Sequence, residues 1–185
     1  MKLILLFIII SLCRDKCRAI TVEGGGTKGA YEAGVISGLA NLLPPEERQW
    51  NVVSGVSVGS LTAANMALYP VGEEIQAAKF IQEMWLTIKM SDIIQNWPLS
   101  VIDGIIKKSG LFDSSPEKEL LVKIVGEKQF QRHLTIGMTD AQYGGSFMVS
   151  NSDFSNAKDM INYLMASSAI PAIFPHKKNR RKCLC

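Results

Sequence analysis

The pentapeptide GVSVG, residues 55–59, decides how this chain is read. It follows NVVS, residues 51–54, with two adjacent valines, and precedes a stretch rich in Ala, Leu and Met, residues 57–68. The first has strand character and the second helix character. G-x-S-x-G at a strand-to-helix turn describes a nucleophile elbow, in which a strained backbone projects the serine oxygen from the end of a sheet. Gly55 and Gly59 support it sterically, because a Cβ at either position would strike the neighbouring strand or helix. The helix behind Ser57 aims its first amides at any negative charge that develops there. Ser57 is the candidate nucleophile. The competing reading is a tight packing turn.

Upstream lies VEGGGTKGAYEAG, residues 22–34, where Gly24, Gly26 and Gly29 have the G-x-G-x-x-G spacing of a dinucleotide-binding loop. That reading needs an acidic residue at the end of the second strand to hold the ribose. Glu46 and Glu47 are about twenty residues on but precede that strand, in PPEERQW, so a nucleotide is not expected. Both glycine turns follow parallel strands and should emerge at one sheet edge. The backbone amides of Gly24, Gly25 and Gly26 are then expected to face Ser57 as an oxyanion hole. Lys28 is either a field-stabilising cation beside the anion or a solvated first-turn lysine, and Gly29 completes the loop.

The remaining pattern alternates. Residues 18–22 read as a strand and 28–43 as a helix with Ala30, Gly34, Gly38 and Leu42 on one stripe. Ile75, Ala78, Ile81, Trp85 and Ile88 repeat every three or four residues, a second amphipathic helix. Ser115-Pro116 opens another, with Pro at the first helical position. Residues 133–138 and 146–149 read as strands and 156–168 as a last helix. The pattern predicts an α/β fold of three layers, a mostly parallel central sheet flanked by helices.

Five of the twenty Lys and Arg lie in the last ten residues. Without them fifteen basic residues face seventeen acidic ones, so the body carries no nucleic-acid signature. At the other end, Lys2, the apolar residues 3–12 and the polar CRDKCR have the order of a secretory signal. Residues 1–13 are expected to be that signal, which directs the chain into the secretory pathway. The competing reading is a buried strand or an anchor. Cys13, Cys17, Cys183 and Cys185 lie only at the two ends, and none has metal-ligand spacing with histidine.

In EGGGTKGAYEAGV (residues 23–35), GVSVGSL (55–61), GLFDSSP (110–116) and ASSAIPAIFP (166–175), the chain resembles the patatin-like phospholipases. In order and spacing these blocks span residues 18–175. The resemblance implies a lipid acyl hydrolase that cleaves carboxylic esters of phospholipids or galactolipids at a membrane surface. It implies a serine–aspartate dyad with neither metal nor cofactor. Carried over by motif, Ser57 is the nucleophile and Gly24 to Gly26 line the oxyanion hole.

One departure stands out. The family's dyad aspartate lies in an Asp-Gly-Gly or Asp-Gly-Ala motif shortly after the ASSAIPAIFP block. Here HKKNRRKCLC, residues 176–185, follows instead, and composition turns abruptly basic at His176. Those residues are expected to be a tail without structure, and the domain to be cut short before its aspartate. Asp103-Gly104 lies too far upstream to serve. Asp153 with His176 follows the chain order of a triad, and Asp140 follows a strand, but a turn role suits Asp140 better. His133 reads as a surface or half-buried residue. The dyad aspartate is unassigned, and impaired hydrolysis is expected. The alternative is a pseudoenzyme that binds lipid without cleaving it.

Overall fold

The computed structural model describes residues 16–97, 110–175, 177–179 and 182–184. Residues 1–15, His176 and the Asp103-Gly104 pair lie outside them. Four strands form the main sheet in the order β1-β2-β3-β4: β1 (Ala19–Val22), β2 (Val52–Val56), β3 (His133–Thr139) and β4 (Ser146–Ser150). β1, β2 and β3 run parallel, with Val22 opposite Gly55 and Val56 opposite Gly137. β4 returns antiparallel, Val149 opposite Ile136. The α/β class and mostly parallel sheet match the alternation in the sequence.

Among the described residues five α-helices accompany the sheet: α1 (Gly29–Leu42), α2 (Val58–Ala67), α3 (Glu74–Thr87), α4 (Ser115–Ile124) and α5 (Ala157–Ser168). α2 is the centre of the molecule. Every residue in it except Leu61 is buried, and it packs on β2, β3 and β1. Its Ala-rich sequence has no polar face to expose, so only a fully enclosed site suits it. Val22, Val53, Leu134, Ile136 and Val149 point from the sheet into this core. The opposite sheet face carries Thr21 and Ser54, hydroxyl to hydroxyl at 2.8 Å, and Met148, 70% exposed.

Two expectations need correction. On α1 the buried stripe is Gly29, Ala33, Ile36 and Ala40, while Leu42 is 86% exposed. The register is set by Gly29, where a Cβ would meet the Trp85 ring and approach Val58 Cγ2 at 2.6 Å. Close approach to α3 therefore rotates the helix away from the Ala30–Leu42 stripe. Part of the basic tail also has backbone order: residues Lys177–Asn179 and Lys182–Leu184 pair as antiparallel strands, β5 and β6.

A buried ion pair ties the base of the fold. Arg132 Nη1 donates to Glu74 Oε1 at 3.0 Å, and both side chains are fully buried. The guanidinium also donates to the Trp50, Tyr69 and Pro70 carbonyls, at 2.9, 2.8 and 2.6 Å. Glu74 accepts the Gly72 amide at 3.0 Å. Burial pulls the guanidinium below its ordinary range, and the Glu74 carboxylate opposes that shift.

Candidate active site

β2 ends at Val56 and α2 begins at Val58, so Ser57 alone makes the turn. It does so at φ 56°, ψ −130°, a left-handed backbone that ordinary side chains avoid and that costs about 1–3 kcal/mol. The flanking glycines make it possible. A Cβ on Gly55 would strike the Gly59 carbonyl, and one on Gly59 would strike the Val22 carbonyl oxygen and lie 2.5 Å from that of Glu23. Strand, turn and helix can approach this closely only without those side chains.

The glycine loop arrives at the same rim. A Cβ on Gly24 would stand 3.0 Å from Ser57 Cβ and 3.2 Å from the Val56 carbonyl oxygen. Gly26 takes φ +57°, a conformation glycine adopts without penalty, and opens the short turn Gly26–Lys28 that leads into α1. Among the described residues the amides of Gly24, Gly25 and Gly26 donate no hydrogen bond to the protein. Ser57 Oγ likewise has no hydrogen-bond partner there. Lys28 is exposed at the start of α1.

Ser167, which the sequence did not single out, holds the elbow. Its buried hydroxyl accepts the Ser57 amide at 2.8 Å and donates to the Gly137 carbonyl at 2.6 Å. It thereby fastens α5, the turn and β3 together. The only signal was its place in the ASSAIPAIFP block. Ser167→Ala leaves a buried amide and carbonyl unpaired, at about 1–3 kcal/mol. The expected result is a lower urea midpoint together with slower reaction of Ser57 towards acylating reagents, whereas Ser167→Thr retains both. A stability loss with unchanged Ser57 reactivity would show that the hydroxyl braces the fold without positioning the elbow.

The GLFDSSP block pairs with the end of ASSAIPAIFP: the Leu111 and Phe112 amides donate to the Ala172 and Ile173 carbonyls at 3.0 Å. Beside this pairing, an apolar cavity of about 310 Å³ opens on Gly26, Thr27 and Ser57 and runs between α2, α3 and α4 past Leu61, Trp85 and Leu121. A larger groove of about 770 Å³ between α3 and α4 does not reach Ser57.

The other candidates separate by sheet edge. Asp153 and His133 are exposed and lie at the amino ends of the parallel strands, opposite the Ser57 edge. Asp153 accepts the Ser150 amide at 2.7 Å and hydroxyl at 2.9 Å, and these bonds hold its carboxyl below the usual range. Asp140 lies at the carboxyl end of β3 and is buried, but it organises a turn: Oδ1 accepts the Gln142 and Tyr143 amides at 3.0 and 3.3 Å. Near the glycine loop, Glu32 is raised above its ordinary range by burial first and by Glu23 second. Among the described residues there is no cluster of His, Cys, Asp and Glu able to hold a metal. No helix there is long and apolar enough to cross a membrane.

The fold matches that of VipD from Legionella pneumophila with a TM-score of 0.58 at 15% identity. The match covers 91% of this chain and 45% of the VipD chain, so this chain spans less than half of that protein's length. No curated protein matches in sequence. The profile of the patatin-like phospholipase family matches residues 20–185, which includes the glycine loop, the elbow and the Ser167 block. The chain belongs to the patatin-like phospholipase family.

Proposed function

We propose that this domain is a lipid acyl hydrolase that cleaves carboxylic esters of phospholipids or galactolipids, with Ser57 as nucleophile. One observation carries the reading. Gly24 is packed against Ser57 Cβ, and the Gly24 to Gly26 amides have no protein acceptor. Amides so placed suit a tetrahedral oxyanion, and one such donor is worth about 10²–10³ in rate. In the reaction Ser57 Oγ bonds to the ester carbonyl carbon, the alcohol leaves with the serine proton, and water then releases the fatty acid. The apolar cavity at Ser57 takes the acyl chain.

The base is the weak point. No carboxylate meets Ser57 Oγ among the described residues, and no Asp-Gly-Gly or Asp-Gly-Ala motif is present in the sequence. A serine without its base is a poor nucleophile, and loss of a dyad or triad partner typically costs about 10⁴ in turnover. Slow hydrolysis by this chain is part of the proposal. The charged, apolar, polar order before residue 18 supports the secretory pathway as its location.

A fluorophosphonate probe and a p-nitrophenyl ester test this together. The expected result is slow labelling and slow hydrolysis, both abolished in Ser57→Ala. Labelling that persists in Ser57→Ala overturns the assignment. The unpartnered Ser57 hydroxyl also supports a second reading, a lipid-binding pseudoenzyme, which gives no labelling while fatty acids still bind.

A further inference from the structure

Two cavities share one wall. The apolar pocket at Ser57 and the larger groove between α3 and α4 have Met84, Ile88, Leu120 and Ile124 in common. A residue lines two separate cavities only where the wall between them is one residue thick. No residue of the elbow or the glycine loop lines the groove, so this wall stands away from Ser57. All four side chains are apolar and half-buried, and their remaining surface faces the space between the helices.

The sequence places them there in pairs. Met84 and Ile88 are one helical turn apart, as are Leu120 and Ile124, so each helix presents two side chains on one face. Ile88 follows directly on α3, and its amide donates to the Met84 carbonyl at 2.9 Å, which continues the turn. Met84 is also held from α2, because its Sδ accepts the Asn65 amide nitrogen at 3.5 Å.

The two sides differ in chemistry. Glu83, Asp92, Glu119 and Lys123 line the groove, whereas the pocket is lined mainly by apolar side chains. A hydrocarbon chain therefore gains from each methylene that enters the pocket, and the gain stops where the chain meets the wall. We infer that Met84, Ile88, Leu120 and Ile124 form a partition that limits acyl-chain length and restricts the substrates to medium-chain esters. The inference rests on the acyl-pocket reading above and adds its length selection. A pocket of about 310 Å³ is at the small end of ligand sites, and opening the partition would add the groove's 770 Å³.

Calorimetric titration of the full chain with octanoic, decanoic, dodecanoic and tetradecanoic acids, each below its micelle concentration, tests this without requiring turnover. Decanoic acid is expected to bind about tenfold more tightly than octanoic acid, since two more methylenes are buried. Tetradecanoic acid should bind no more tightly than dodecanoic acid. In Ile88→Ala/Leu120→Ala, which shortens the partition from both helices, octanoic acid should bind as before and tetradecanoic acid about tenfold more tightly. Val122→Ala is the control, because Val122 is on α4 but exposed and lines neither cavity. Affinity that keeps rising to tetradecanoic acid in the wild-type chain overturns the inference whatever the variants do. So does a double variant that binds octanoic acid normally and keeps the wild-type length limit. Both results leave the acyl pocket standing. If no acid binds, or if length has no effect, the acyl pocket itself falls and this inference with it, while fluorophosphonate labelling still tests Ser57 separately.

Discussion

Arg132→Ala is expected to remove about 3–5 kcal/mol of folding stability, a large share of the roughly 5–15 kcal/mol available to a domain. The guanidinium bonds Glu74 and the carbonyls of Trp50, Tyr69 and Pro70. Truncation strands the Trp50 and Tyr69 carbonyls and leaves the fully buried Glu74 carboxylate with only the Gly72 amide, while the Pro70 carbonyl keeps the Glu73 amide at 3.1 Å. The loss therefore exceeds that of a surface ion pair, which is worth about 0–1 kcal/mol. Replacing both partners with apolar residues, Arg132→Met with Glu74→Leu, should recover the part due to the orphaned charge. The Trp50 and Tyr69 carbonyls and the Gly72 amide stay unpaired, so recovery is incomplete. Urea unfolding of the two single variants and the double variant measures this. A single-variant loss below about 1 kcal/mol would show that the pair is dispensable.

Gly59→Ala is expected to be still more disruptive at the site. The new methyl meets the Val22 and Glu23 carbonyl oxygens and, at 2.7 Å, the Val22 carbonyl carbon. All are backbone atoms, so no rotamer change relieves the contact. Overpacking of this kind costs about 1–3 kcal/mol and occasionally more. Relief requires β1 to withdraw from α2, and β1 leads directly into Gly24. The variant should therefore lose thermal stability and fluorophosphonate labelling together. Gly34→Ala provides the contrast. An added Cβ there meets nothing within 4 Å in the α1 interior, so it should stabilise by about 0.5–1 kcal/mol. That corresponds to a rise of about 1–4 °C in Tm for a chain of this size. Equal effects of the two substitutions would refute the steric account of Gly59.

Much of this was legible because short-range rules were consistent. The elbow glycines, the α2 apolar run and the Pro at the start of α4 each constrain their own few residues. α1 was misread because apolar residues lie on every side of it: Tyr31, Val35, Leu39 and Leu42 are exposed while Ala33, Ile36 and Ala40 are buried. Nothing within residues 29–42 shows that Gly29 must accommodate a Trp more than fifty residues away. Arg132 and Glu74 were not singled out, since a lone Arg and a lone Glu carry no spacing signal. Ser167 was hidden for the same reason, one serine in a small-residue block.

The residue types alone determined the alternating α/β order, the two glycine turns and the serine within the second of them. Those follow from backbone sterics, which act over a few residues and leave a readable pattern. The tertiary structure decided which turn faces which. It packs Gly24 against Ser57, brings the Ser167 hydroxyl from residue 167 to the Ser57 amide, and seals Thr62 and Asn65 into an apolar wall. Contacts across so many residues depend on sheet order and helix rotation, which only the packed core settles.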